Sequence, residues 1–182
     1  SVTANDTDAN GDLLISTVDL DPATGGIQTT YTVTGEGTWG VTSSGTVTFT
    51  PESGFTSDPT PITYTVNDAT GLTSNQASIT IDYVPVATAD ESNGNTTGTA
   101  VTVNVLSNDT SGDALAANTV QIVGTANPGD SKVVAGEGTW SINTSTGAIT
   151  FTPESGYTGD PTAISYTVKD SENNTSNAVT VT

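Results

Sequence analysis

Val47-Thr48-Phe49-Thr50-Pro51-Glu52-Ser53-Gly54-Phe55-Thr56 alternates apolar and hydroxyl side chains, then breaks into a turn. Ile149-Thr150-Phe151-Thr152-Pro153-Glu154-Ser155-Gly156-Tyr157-Thr158 does the same, 102 residues later. Upstream of each lies Gly-Glu-Gly-Thr-Trp, at Gly35–Trp39 and again at Gly136–Trp140. Downstream, Ile62-Thr63-Tyr64-Thr65-Val66 returns as Ile164-Ser165-Tyr166-Thr167-Val168, and Asn5-Asp6-Thr7 as Asn108-Asp109-Thr110. Several ordered matches at nearly one offset mean two copies of a single module. The chain therefore divides into repeat 1, residues 1–83, and repeat 2, residues 84–182. The stretch Val84 to Val103 has no counterpart before Asn5, so repeat 1 is N-terminally incomplete and lacks its first strand. Either the chain is cut from a longer array, the simpler reading, or a neighbouring molecule supplies that strand.

Period-2 alternation dominates each copy, and no helical periodicity survives. Val47/Phe49, Ile149/Phe151, Ile62/Tyr64/Val66 and Val101/Val103/Val105 each line one face of a strand. Turn chemistry separates them at Ser44-Gly45, Thr146-Gly147, Ala69-Thr70-Gly71 and Asn173-Asn174. Strands are expected near 86–90, 100–106, 118–123, 131–135, 138–142, 148–152, 163–169 and 176–182. Short strands at that spacing predict an all-β chain of two tandem immunoglobulin-like antiparallel β-sandwich modules.

Composition narrows the chemistry. Twenty Asp and Glu against two Lys and Arg give a formal charge of −18 over 182 residues. With Lys132 and Lys169 as the only cations, nucleic acid and anionic membrane surfaces are poor partners. The absence of Cys and His removes thiol nucleophiles, Ser–His triads, zinc fingers and disulfide frameworks. No apolar run approaches the ~20 residues of a membrane span. Threonine makes up about a fifth of the chain, which suits pleated, half-wet strands better than disorder. The duplicated glutamates Glu36, Glu52, Glu137 and Glu154 sit in turn-like sequence without an aromatic-lined cleft, so no enzyme is expected.

Asp6-Thr7-Asp8-Ala9-Asn10-Gly11-Asp12 is the most chemically pointed segment. It matches the first half of an EF-hand loop, but Thr17 stands where a bidentate Glu would close the shell. A non-helical calcium loop is the alternative. In an immunoglobulin-like sandwich the B–C and F–G loops share an end. That end would collect Asp6, Asp8, Asn10, Asp12 and Asp68, whose repulsion Ca2+ would relieve. An Asx-rich turn bonded to its own backbone is the plainer reading. In repeat 2 the loop is two residues shorter, and Asp90, Asp109, Asp113 and Asp170, with Glu91 nearby, form a weaker candidate set at the junction. Trp39 and Trp140 are sugar-stacking platforms only if exposed, and their fixed place in both copies favours a packing role.

The ordered motifs resemble the CshA-type fibril repeat of bacterial surface proteins. Val105-Leu106-Ser107-Asn108-Asp109-Thr110 also resembles the cadherin-like and immunoglobulin-like repeats of large bacterial adhesins. The resemblance implies an extracellular, cell-surface spacer that projects a binding tip, or a strand of a fibril. Calcium-stiffened junctions are common among such modules. The implied partners are neighbouring repeats of the same chain or identical subunits. The expected function is a calcium-stabilised stalk of a repetitive adhesin. The alternatives are a self-assembling extracellular filament completed by a neighbour's strand, and a carbohydrate-binding module.

Overall fold

Alternation along Ile164-Ser165-Tyr166-Thr167-Val168-Lys169-Asp170 turns Ile164, Tyr166 and Val168 into the protein and leaves the intervening residues half-exposed. Asp170 falls on the same inward parity, which is why an acidic residue ends this strand fully buried. The computed structural model describes all 182 residues, and 13 strands and one 3₁₀ turn at Val2–Ala4 account for its regular structure. The chain is all-β and folds as two units, Ser1–Asp82 and Tyr83–Thr182.

Unit 1 contains β1 (Leu13–Asp19), β2 (Thr30–Val33), β3 (Gly37–Val41), β4 (Val47–Pro51), β5 (Ile62–Asp68) and β6 (Ala77–Ile79). They form two antiparallel sheets, ordered β1-β5-β6 and β2-β3-β4. The inner faces bury Val18, Leu20, Trp39, Ile62, Tyr64 and Val66. Unit 2 contains β7 (Val101–Val103), β8 (Leu115–Ile122), β9 (Lys132–Val134), β10 (Gly138–Ile142), β11 (Ile149–Pro153), β12 (Ile164–Asp170) and β13 (Val179–Val181). Its sheets run β8-β12-β13 and β9-β10-β11-β7. Between them lie Val105, Val120, Ile122, Trp140, Ile149, Phe151, Tyr166 and Val181. Each unit is thus a two-sheet sandwich with the sheet partners of an immunoglobulin-like module.

The leading segment of unit 2 differs from the single strand expected near 86–90. Val86 pairs antiparallel with Thr110, and Asp90 pairs parallel with Val181 of β13. The segment changes partners within four residues, so it forms two isolated bridges instead of a ladder. The stretch without a counterpart in unit 1 also includes β7, so two strand segments, not one, distinguish the units.

The repeated motifs have local causes. The second glycine of Gly-Glu-Gly starts β3 and β10 where a facing strand crosses closely. A Cβ on Gly37 would lie 2.3 Å from the Thr50 carbonyl oxygen, and one on Gly138 2.3 Å from that of Thr152. The adjoining tryptophan packs on the strand phenylalanine, with ring centroids 5.0 Å apart for Trp39–Phe49 and 4.9 Å for Trp140–Phe151. The aromatic residue after Pro-Glu-Ser-Gly covers that phenylalanine edge-on, at 5.9 Å for Phe55 and 6.1 Å for Tyr157. A threonine fills the register irregularity in both β1 and β8. Thr17 Oγ1 accepts the Asn67 N–H at 2.9 Å and donates to Leu14 O at 2.7 Å. Thr119 makes the same pair of bonds with Lys169 and Ala116, at 2.8 and 2.7 Å.

Candidate metal centre

The β1–β5 register sets Leu13 opposite Asp68, which places Asp12, one residue before β1, beside the end of β5. The Ala69 N–H donates to the Asp12 carbonyl at 3.1 Å and closes this corner. The preceding loop folds back on itself: the Asp12 N–H donates to Asp8 Oδ2 at 2.8 Å, and Asn10 Nδ2 donates to Asp12 Oδ2 at 3.0 Å. As a result, one carboxylate oxygen from each of Asp8, Asp12 and Asp68 lies within 4.8 Å of the others. Asp12 Oδ1 is buried there without a hydrogen-bond partner.

The electrostatics follow from this crowding. Burial, then the contact with Asp8 and the charges of Asp8 and Asp68, push the Asp12 carboxyl above its ordinary value. Asp68 moves the other way. The Leu72 N–H, followed by the Thr70 hydroxyl and backbone, holds its carboxylate in the charged form. Asp68 is therefore a fixed negative charge, and Asp12 is the group that a nearby cation would relieve. Oxygen donors alone, two from the loop before β1 and one from the end of β5, suit a hard divalent ion such as calcium.

Of the five candidate residues in repeat 1, Asp8, Asp12 and Asp68 converge, and Asn10 braces Asp12. Asp6 is committed elsewhere: the Tyr64 hydroxyl lies 2.8 and 2.9 Å from its two carboxylate oxygens and 3.0 Å from the Val2 carbonyl. Burial and Asp6 together push the Tyr64 phenol up to about 12.

The four candidates in repeat 2 separate into different settings. Asp109 repeats the role of Asp6, with the Tyr166 hydroxyl 3.0 and 2.9 Å from its carboxylate oxygens and 2.8 Å from Val105 O. Asp90 is buried nearby. Burial raises its pKa first, the Asp109 charge raises it further, and Tyr166 and Asn108 partly offset both. Burial likewise raises Asp109. Asp170 turns its Oδ1 onto the N–H groups of Glu172 and Asn174, closing its own loop at 3.0 and 2.9 Å. Asp113 lies in the loop before β8, which is shorter than its counterpart before β1.

Other duplicated residues act as ties. Glu36 takes the Thr60 N–H and hydroxyl at 2.7 and 2.6 Å, and Glu137 takes those of Thr162 at 2.6 Å each. A Glu followed 24 or 25 residues later by the Thr of an Asp-Pro-Thr, in both repeats, is the sequence signal that could have revealed this tie. Trp39 and Trp140 are buried, so neither presents a ring face to a sugar. No helix is long and apolar enough to cross a membrane.

A search of curated proteins finds no match to the chain. The model of a family described as the surface adhesin CshA repetitive domain matches twice, over residues 2–81 and 82–181. Those two matches cover nearly every residue and coincide with the duplicated sandwich described above, so the chain belongs to the CshA repetitive-domain family of surface adhesins, with two repeats in tandem.

Proposed function

We propose that this chain is a spacer segment of an extracellular, cell-surface adhesin, with calcium bound between Asp8, Asp12 and Asp68 of its first repeat. The spacer reading rests on the duplication itself. What recurs at matched positions is core and tie: tryptophan on phenylalanine, tyrosine on aspartate, glutamate on threonine. The duplicated Glu36 and Glu137 hold neighbouring threonines, which supports a non-catalytic role. A charge of −18 keeps such a chain soluble and self-repelling.

The calcium reading rests on one observation, the buried and unbonded Asp12 Oδ1 inside a group of three carboxylates. An ion at about 100 times its dissociation constant adds ~2.7 kcal/mol to the folded state. For a domain of this size that is a rise of about 10–20 °C in midpoint. Thermal unfolding of the chain in millimolar calcium and in EDTA tests it, and Asp8→Ala is expected to erase most of the gain. An unchanged midpoint refutes calcium binding at this loop. Light scattering tests the spacer reading separately. A monodisperse monomer is expected, and concentration-dependent polymers would favour the filament.

A further inference from the structure

A proline that follows an aspartate makes a peptide bond that the aspartate can open by itself. The carboxyl reaches its own backbone carbonyl through a five-membered ring. The proline nitrogen is more basic than that of an ordinary amide, so it takes up a proton and leaves more readily. The chain has three such bonds, Asp21–Pro22, Asp58–Pro59 and Asp160–Pro161. At the first, the Thr24 hydroxyl occupies the Asp21 carboxylate at 2.6 Å and the Thr24 N–H occupies its carbonyl at 2.9 Å. The other two lie in matched turns, between β4 and β5 and between β11 and β12.

Both turns are clamped on the proline side, where Glu36 holds Thr60 and Glu137 holds Thr162. They differ at the aromatic residue after Pro-Glu-Ser-Gly. Phe55 brings no polar atom, whereas the Tyr157 hydroxyl donates to the Asp160 carbonyl oxygen at 2.5 Å. Gly159 gives that hydroxyl room, since a Cβ there would lie 3.2 Å from its oxygen, and repeat 1 carries Ser57 at this place. Burial, then the charges of Glu137 and Asp160, push the Tyr157 phenol above its ordinary value, so it keeps its proton and remains a donor. Asp160 is exposed, and its carboxylate accepts no hydrogen bond that would hold it away from its own carbonyl.

We propose that the Asp160–Pro161 bond is a self-cleavage site, with the Tyr157 hydroxyl stabilising the oxyanion that forms on the Asp160 carbonyl oxygen. A carboxyl oxygen of Asp160 bonds to the Asp160 carbonyl carbon, and negative charge collects on the oxygen that Tyr157 already holds. Collapse breaks the C–N bond, the carboxyl proton passes to the Pro161 nitrogen, and a cyclic anhydride remains. Water opens the anhydride, which restores the Asp160 side chain and leaves a free α-carboxyl group. The net change is the addition of one water, so no other reactant is needed. Strands β12 and β13 fall in the second piece, residues 161–182, and β12 stays paired to β8 and packed in the core. The cut leaves the sandwich assembled while breaking the covalent line between residues 83 and 182. The proposal is separate from the calcium reading, because Asp8, Asp12 and Asp68 take no part in it.

The test incubates the full 182-residue chain at about pH 4, where aspartyl carboxyls titrate, and follows its fragments by intact-mass spectrometry. Near-UV circular dichroism confirms that the chain stays folded. Cleavage after Asp160 should then run about ten-fold faster than cleavage after Asp58, a modest share of the ~10²–10³ that one oxyanion donor is worth in an enzyme. Tyr157→Phe should remove most of that difference. The variant should fold, because Phe55 fills the same position against Phe49 in repeat 1. Asp160→Asn should abolish the 161–182 fragment. In strong denaturant, where the hydroxyl is no longer placed, the two bonds should be cut at similar rates. Absence of the 161–182 fragment from the folded chain overturns the proposal. So does equal cleavage at the two bonds in the folded chain, indifference to Tyr157→Phe, or a preference that survives in denaturant. Calcium and EDTA should give the same rates, so failure of the calcium reading would leave this result standing.

Discussion

Replacing Gly138 by alanine probes the closest backbone approach in unit 2, on top of the strain of its φ of 158°. The added Cβ would sit 2.3 Å from the Thr152 carbonyl oxygen and 2.8 and 2.9 Å from two Phe151 ring atoms. Comfortable non-bonded contacts need roughly 3.5 Å, so the main chain of β11 must retreat by about 1 Å. Retreat stretches the β10–β11 ladder and lifts Phe151 away from Trp140, so no flexible side-chain end can absorb the overlap. The cost belongs at the upper end of overpacking penalties, about 3 kcal/mol, or about 12–24 °C in the midpoint of a domain this size. Gly136→Ala is the control. Its φ of 79° disfavours alanine, but nothing lies within 4 Å, so only the backbone strain of ~1–2 kcal/mol is charged. Scanning calorimetry of the full chain reads both, and hydrogen exchange assigns the affected transition. Gly37→Ala, facing Thr50 O at 2.3 Å, should make the equivalent change in unit 1. A Gly138→Ala shift no larger than that of Gly136→Ala would refute the reasoning.

Other expectations concern the polar ties. Tyr166→Phe should cost unit 2 about 1–3 kcal/mol in denaturant unfolding, because Val105 O and the Asp109 carboxylate lose a buried donor. Glu137→Gln should speed hydrogen exchange at the Thr162 amide while leaving the core amides of β12 unchanged, since the tie lies at the surface. The pair Asp90 and Asp109 should give a pH signature. Both have folded-state pKa values raised above 3.8, so their contribution to stability is full below about 3.8 and is lost as pH rises through the folded values. Asp68 and Glu137, held low by hydrogen bonds, act in the opposite sense. The pair is therefore read as a difference. As pH rises above 3.8, Asp90→Asn should gain stability relative to the parent chain, and a constant difference from pH 3 to 7 would refute the assignment.

Most of the fold was legible because the chain states it twice. Alternation at Ile164, Tyr166 and Val168 gave β12, and the matched Gly-Glu-Gly-Thr-Trp fixed the start of β10. The leading segment of unit 2 was harder. Pairing there depends on two unrelated partners, Thr110 and Val181, and local alternation carries no information about a change of partner. The loop chemistry was partly legible. A shared end for the loops around β1 and β5 predicts that Asp12 and Asp68 meet, and the Leu13–Asp68 register brings them together. Sequence spacing alone could not separate Asp6 from Asp8. Only the three-dimensional placement of the Tyr64 hydroxyl shows that it holds Asp6. The Asn177 grip on Ala87 spans 90 residues and gave no local signal.

The parallel bridge between Asp90 and Val181 has a consequence for how unit 2 responds to tension. Its first and last strand segments run in the same direction side by side, joined by the bonds Asp90 N–Thr180 O, Thr182 N–Asp90 O and Ser92 N–Thr182 O. Traction applied at residue 83 and residue 182 pulls these neighbours past one another along their own axes. The three bonds are then loaded in shear and must rupture nearly together, whereas an antiparallel pair pulled from one end would open one bond at a time. The segment that completes the sandwich is therefore also its clasp. A tether anchored at one end and tugged at the other would meet its resistance there, before any strand of the core is disturbed.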